Sequence, residues 1–165
     1  MSFPSPTGGS AISRSLASPR ALAAWALLGY AALALFFAFF LWLLPNGGTL
    51  FSDRSADAGF RSLTLIALPV LAVLLAAYVT PELPLARLMA LVAMVEYLAI
   101  LFFGLITLLI GLGPVFNRVS TVGGFFAALD YLFLGLGALI LAAIASYVCF
   151  RAYTRLGGRL PSMPS

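Results

Sequence analysis

Four long apolar runs, approximately Leu22–Leu44, Leu63–Val79, Leu88–Gly111 and Val122–Phe150, occupy most of this 165-residue chain and admit only two acids, Glu96 and Asp130. A bilayer core about 30 Å thick takes roughly 20 apolar residues of helix to cross, with a working range of about 17–25. Each run reaches that range. In hydrocarbon every backbone N–H and C=O must be satisfied inside the segment, which a helix does and an open strand does not. The expected fold is therefore all-α, an integral membrane four-helix bundle over residues 22–150. A disordered cytoplasmic tail (residues 1–21) is expected before it, and a short basic cytoplasmic tail (residues 151–165) after it.

With 63% of residues hydrophobic and 8% charged, little is left for chemistry. All nine basic residues are arginine, and the chain has no lysine, histidine or glutamine. Without histidine, the usual axial ligand of membrane haem and a common ligand for zinc or copper is missing. Cys149 is the only cysteine, so neither an intrachain disulfide nor a thiolate cluster can form. It reads as a small buried apolar residue, with a redox or acylation site as the sharper alternative. No nucleophile stands beside a base, and no glycine-rich loop offers to cradle phosphate. No cofactor and no enzymatic activity are expected. A net charge of +4 would suggest nucleic acid for a soluble protein. Here every arginine lies outside the apolar runs, so topology and anionic lipid explain it better, and no nucleic-acid partner is expected.

Residues 1–20 are rich in Ser, Pro and Gly, with Arg14 and Arg20 just before the first run. That run is about 23 residues long, beyond the 7–15 of a secretory h-region, and is expected to stay as an anchor. The stretch PNGGTLFSDRSADAGFR after it has the residues of a solvated loop. Thr80-Pro81-Glu82-Leu83-Pro84 is short and stiff, and should make the second and third spans an antiparallel pair. The third connection, roughly Leu112–Thr121, contains Pro114, and Gly123-Gly124 should loosen the start of the fourth span. Six arginines (14, 20, 87, 151, 155 and 159) fall on the side of the termini and three (54, 61 and 118) on the other. The bias places both termini in the cytoplasm. Trp25 and Trp42, near opposite ends of the first span, read as interfacial anchors.

Helices in lipid associate through small residues and a few polar contacts. Ala138, Ala142 and Ser146 form a small-residue row on the fourth span, while Phe36, Phe37, Phe39 and Phe40 should face lipid or a partner. Pro69 should kink the second span, which is tolerated where a neighbour satisfies the freed backbone. Arg151, Arg155 and Arg159 recur every four residues beyond the last span. They read as a topology signal and as contacts for lipid headgroups, a dedicated site being the sharper alternative.

Glu96 lies about nine residues, or roughly 13 Å, into the third span. A charged acid at mid-membrane is costly, about 2.5–3.5 kcal/mol on insertion scales for Asp. The expectation is a protonated acid that donates a hydrogen bond between helices, Tyr30 being at a similar depth on the first span. On the helical wheel Glu96 shares a face with Gly104, Thr107 and Gly111, which should point into the bundle or at a partner. The functional alternative is a proton-, cation- or substrate-binding carboxylate. Asp130 is shallower, and an interfacial salt bridge to Arg61, or failing that to Arg118, is expected.

The arginine-only basic set and the Ala- and Leu-rich spans look like those of high-GC actinobacteria. The stretch VEYLAILFFGLITLLIGLG, Val95–Gly113, resembles a segment of uncharacterised four-span membrane proteins from that group. The resemblance implies a bacterial cytoplasmic membrane and no particular activity. The expected function is that of a small non-enzymatic accessory, scaffold or assembly subunit acting through helix association. Its partners would be membrane lipids together with a homo-oligomer or a larger membrane-protein complex. The alternative is a transport component built around Glu96.

Overall fold

The computed structural model describes residues 19–45, 47–79, 83 and 85–157. Among these, five α-helices follow in chain order: α1 (Pro19–Leu43), α2 (Phe51–Ala56), α3 (Leu63–Ala77), α4 (Ala86–Phe116) and α5 (Val122–Arg155). A 3₁₀ turn, Gly59–Arg61, joins α2 to α3. Four segments are long and apolar enough to cross a membrane: α1, the combined segment Phe51–Ala77, α4 and α5. The chain is an all-α, four-span membrane protein.

Small side chains set the packing. On α5 the buried positions include Gly135, Ala138, Ala142, Ala145, Cys149 and Ala152, at alternating spacings of three and four. On α1 they include Ala21, Ala24, Leu28, Ala31 and Leu35, at the same spacings. That alternation averages 3.5 residues and keeps one seam of a helix against its neighbour over many turns. Large apolar side chains turn outward instead: Phe36, Phe37 and Phe40 of α1 are exposed, as are Phe133, Ile140 and Ile144 of α5. With no hydrophobic drive between helices in lipid, close backbone approach through small residues selects the inner face. Helices α3 and α4 form the centre. Both α1 and α5 pack against that pair, and α1 and α5 do not touch each other.

Several expectations need correction. The segment expected to be a solvated loop is in part folded: Phe51–Ala56 and Gly59–Arg61 are helical, while residues 47–50 stay exposed. Helix α2 folds back onto α4, and Ser55 and Phe60 are fully buried. Trp42, at the end of α1, is buried against the protein, and its Nε1 donates to Ser55 Oγ at 2.8 Å, which in turn donates to Phe51 O. Phe60 stacks on Phe103 with ring centroids 5.4 Å apart. Helix α3 alone has 15 residues, about 22 Å at the helical rise; with α2 and the 3₁₀ turn the candidate span is Phe51–Ala77.

Helix α4 runs through Pro114 to Phe116, so the third connection is shorter than expected. Gly123-Gly124 does not loosen α5: Thr121 caps the helix by accepting from Gly124 N at 3.0 Å. A side chain at Gly124 would collide with the Arg118 carbonyl, which explains the glycine. Helix α1 begins at Pro19, inside the tail expected at 1–21, while the disorder expected for residues 1–18 lies outside the described residues. The basic tail expected from residue 151 begins as the last turn of α5, which ends at Arg155, with Gly157 just beyond its cap at φ +79°. Residues 158–165 and most of the Pro-rich turn (80–82 and 84) also lie outside the described residues.

Candidate functional site

The seam between α4 and α5 carries the polar groups of the bundle. Glu96, Gly104, Thr107 and Gly111 of α4 are all buried along it, as the helical wheel predicts. Thr107 satisfies itself within its helix: its Oγ1 donates to Phe103 O at 2.8 Å and lies 3.2 Å from Gly104 O. Tyr131 of α5 crosses the seam, its hydroxyl 3.2 Å from Thr107 O and 3.4 Å from Leu108 O.

Glu96 is only 6% exposed, and neither carboxyl oxygen has a hydrogen-bond partner among the described residues. The expected bond to Tyr30 does not form. Tyr30 sits one position before the inward-facing Ala31, about 100° round the helix, and is 59% exposed. It lines a lateral groove of about 640 Å³ between α1 and α3, whose rim carries Arg54, Asp57 and Ser62. Glu96 does not line that groove.

Its neighbour Tyr97 does the interhelical work instead. Val70 N donates to the Tyr97 hydroxyl at 3.0 Å, and the hydroxyl donates to Ile66 O. These two backbone groups are an i, i−4 pair of α3 that brackets Pro69. A proline ring crowds the carbonyl four residues back and opens the helical ladder. The tyrosine hydroxyl enters that opening and satisfies both sides. Pro69 in a buried span predicted the need for such a partner; nothing in the sequence singled out Tyr97.

Arg61 does not pair with Asp130. Its guanidinium lies over the Tyr131 ring, 4.5 Å from the centroid, and its Nη2 donates to Ala56 O at 3.2 Å. Gly104 and Gly135 make the space: a Cβ at Gly135 would stand 2.6 Å from Arg61 Nη1, and one at Gly104 would stand 3.5 Å from its Cγ. Asp130 precedes Tyr131 and therefore points away from the seam; it is exposed, with Phe126, Phe133 and Leu134 around it. The second choice for Asp130, Arg118, pairs instead with Asp53 at 3.0 Å. That pair is solvated and worth about 0–1 kcal/mol.

At the far end of α5, Arg151 and Arg155 are exposed and line a surface hollow with Tyr78 and Thr154. The Arg155 guanidinium lies 5.3 Å from the Tyr78 ring centroid. Arg159 lies outside the described residues. Cys149 is buried. No group of three potential metal ligands occurs among the described residues.

Compared with protein-family models, curated proteins and solved structures, the chain matches none of them.

Proposed function

We propose that this protein works by association, as a non-enzymatic accessory, scaffold or assembly subunit of a larger membrane complex. The observation that carries the reading is the outer face of α5. This 34-residue helix buries little more than its stripe of small residues, and holds an acid, Asp130, on the apolar face it turns outward. Ionisable groups in spans nearly always face a bundle interior, a cavity or a partner. Asp130 faces neither the interior nor the seam, and a partner helix on this face would give it the polar contact that the bundle does not. We place the protein in a bacterial cytoplasmic membrane with both termini inside, on the arginine bias and the likeness of Val95–Gly113.

Photo-crosslinkers at Phe126, Phe133 and Ile140 in native membranes test the reading. Each should capture one protein in near-stoichiometric yield, whereas a site on the buried stripe such as Ala142 should not. Purified protein that carries out solute flux alone in vesicles, with no crosslinked partner in cells, would overturn it.

One observation favours the second reading, a transport component. The Glu96 carboxyl is buried with neither oxygen bonded among the described residues, and a group in that state gains by meeting a proton or a cation. Against it stands the setting of Glu96, which lines neither the groove beside Tyr30 nor the surface hollows at Asp130 and Tyr78. Association therefore comes first.

A further inference from the structure

The geometry points to a docking stripe on α5 for a membrane helix of another protein that carries one lysine or arginine opposite Asp130. The inference rests on the association reading and names the chemistry of the partner. Gly123, Asp130, Gly137 and Ile144 recur every seven residues, so they lie within about 20° per step of one line on the helix. This line faces outward: Gly123, Asp130 and Ile144 are exposed, and Gly137 is half-exposed. Neither glycine serves the bundle, since a Cβ built at Gly123 or Gly137 meets nothing within 4 Å. Gly104, Gly111 and Gly135, by contrast, each have a neighbour pressed against the missing side chain. Two glycines with open space above them, flanking a polar residue, are what a second helix needs for close approach and a polar contact.

The surroundings of Asp130 identify the contact. Twenty uncharged, mostly apolar residues, Tyr131 to Phe150, separate it from Arg151, enough to cross the hydrocarbon and so put Asp130 at its outer edge. The next turns outward still bring Phe125 and Phe126 to the surface. The carboxylate is thus ringed by apolar side chains, and a cation on a facing helix is the group that complements it. A second copy of this chain fits poorly. Parallel copies related by a two-fold axis along this stripe would bring two Asp130 carboxylates together. The arginines at this end of the bundle are engaged elsewhere: Arg61 over Tyr131, Arg118 with Asp53, and Arg54 with the Leu43 and Leu44 carbonyls.

The test uses the full-length protein in phosphatidylcholine–phosphatidylglycerol vesicles and two synthetic Leu/Ala transmembrane peptides. The peptides are identical except for one lysine, or leucine, at the depth of Asp130, and binding is read by energy transfer. The lysine peptide should bind about 10-fold more tightly, the scale of a polar contact between membrane helices. Asp130→Asn should erase that preference while leaving the leucine peptide unchanged, and Gly137→Leu should weaken both peptides. Helical content and gel-filtration position of the variants confirm that the bundle is intact. Equal binding of the two peptides, or a preference that survives Asp130→Asn, overturns the cationic partner. If Gly137→Leu still abolishes that equal binding, the α5 face and the association reading stand without it. Self-association that depends on Asp130 also overturns it, in favour of a second copy. If neither peptide binds, the stripe is not a docking surface, and association falls to the Phe36, Phe37 and Phe40 face of α1.

Discussion

The Tyr97 hydroxyl and the Glu96 carboxyl are adjacent in the chain and equally buried, yet they stand in opposite energetic positions. Tyr97 bridges two backbone groups on either side of Pro69. Tyr97→Phe should therefore leave both unsatisfied and destabilise the bundle by about 1–3 kcal/mol, the cost of orphaned buried groups. With Pro69→Ala the helix can close and pair Val70 N with Ile66 O directly, so the same Tyr97→Phe change should then cost less. Additivity of the two changes in a double-mutant cycle, followed by unfolding in detergent, would show that the bridge does not depend on the proline. Glu96 presents the reverse case. Its oxygens lack partners among the described residues, and replacing an orphaned polar group with an apolar one of similar size removes a desolvation cost. Glu96→Met should raise stability by about 1–3 kcal/mol; a loss of that size would mean that the acid has a bonded partner. Function divides along the same residue. If association is the role, Glu96→Gln should restore a deletion strain. A stable Gln variant that fails to restore it would move the proton- or cation-binding reading to the front, because the amide cannot ionise.

At the scale of elements, what was legible in the sequence depended on which property carried the information. Length and apolarity mark the spans because the bilayer sets both, and α1, α4 and α5 lie where the runs are. Rotation of each helix is harder to read. A span that is apolar all round has no polar face to declare its outside, so one position separates the inward Tyr131 from the outward Asp130. The spacing of small residues on α5 held that answer, but the row Ala138, Ala142, Ser146 follows it only in part: the inner line passes through Ala145 and Cys149 instead. The segment 51–61 was misleading for another reason. Its turn-rich, charged composition suits a loop, whereas its burial comes from contacts far along the chain, Trp42 with Ser55 and Phe60 with Phe103. Gly111 is the clearest sign of that packing. A Cβ there would stand 2.8 Å from Ala56 Cα and 2.9 Å from its N, and a backbone cannot swing aside as a side-chain tip can. Gly111→Ala should push α2 off α4 and cost about 1–3 kcal/mol by overpacking. Gly29→Ala in α1, where a Cβ meets nothing within 4 Å, should be neutral or stabilising by up to about 1 kcal/mol through helix propensity. Equal effects of the two changes on unfolding would show that α2 is not seated there.

For the whole molecule, orientation and the seating of α2 meet in one measurement. The fold has α2 and the α4–α5 turn at one end and the C-terminal turn of α5 at the other, with four crossings between α1 and Leu156. The arginine bias puts the α2 end outside. Because the native Cys149 is fully buried, single cysteines can be added over a silent background and probed with a membrane-impermeant maleimide. On intact cells, cysteines at Leu50 and Val122, exposed at 68% and 76%, should be labelled. A cysteine at Ser55, which belongs to the same short helix region as Leu50 but is fully buried under Trp42, should be protected. One at Thr154, exposed at the other end of α5, should react only after permeabilisation. Labelling of Thr154 but not Leu50 or Val122 in intact cells would invert the topology while leaving the fold intact. Rapid labelling of Ser55 would leave the topology intact and remove the cap. The two conclusions are separable because the bilayer controls one and side-chain packing the other. The α5 stripe depends on both: Asp130 can meet a partner's cation near the outer face only if that end of the bundle is outside and the cap holds Arg61 away from it.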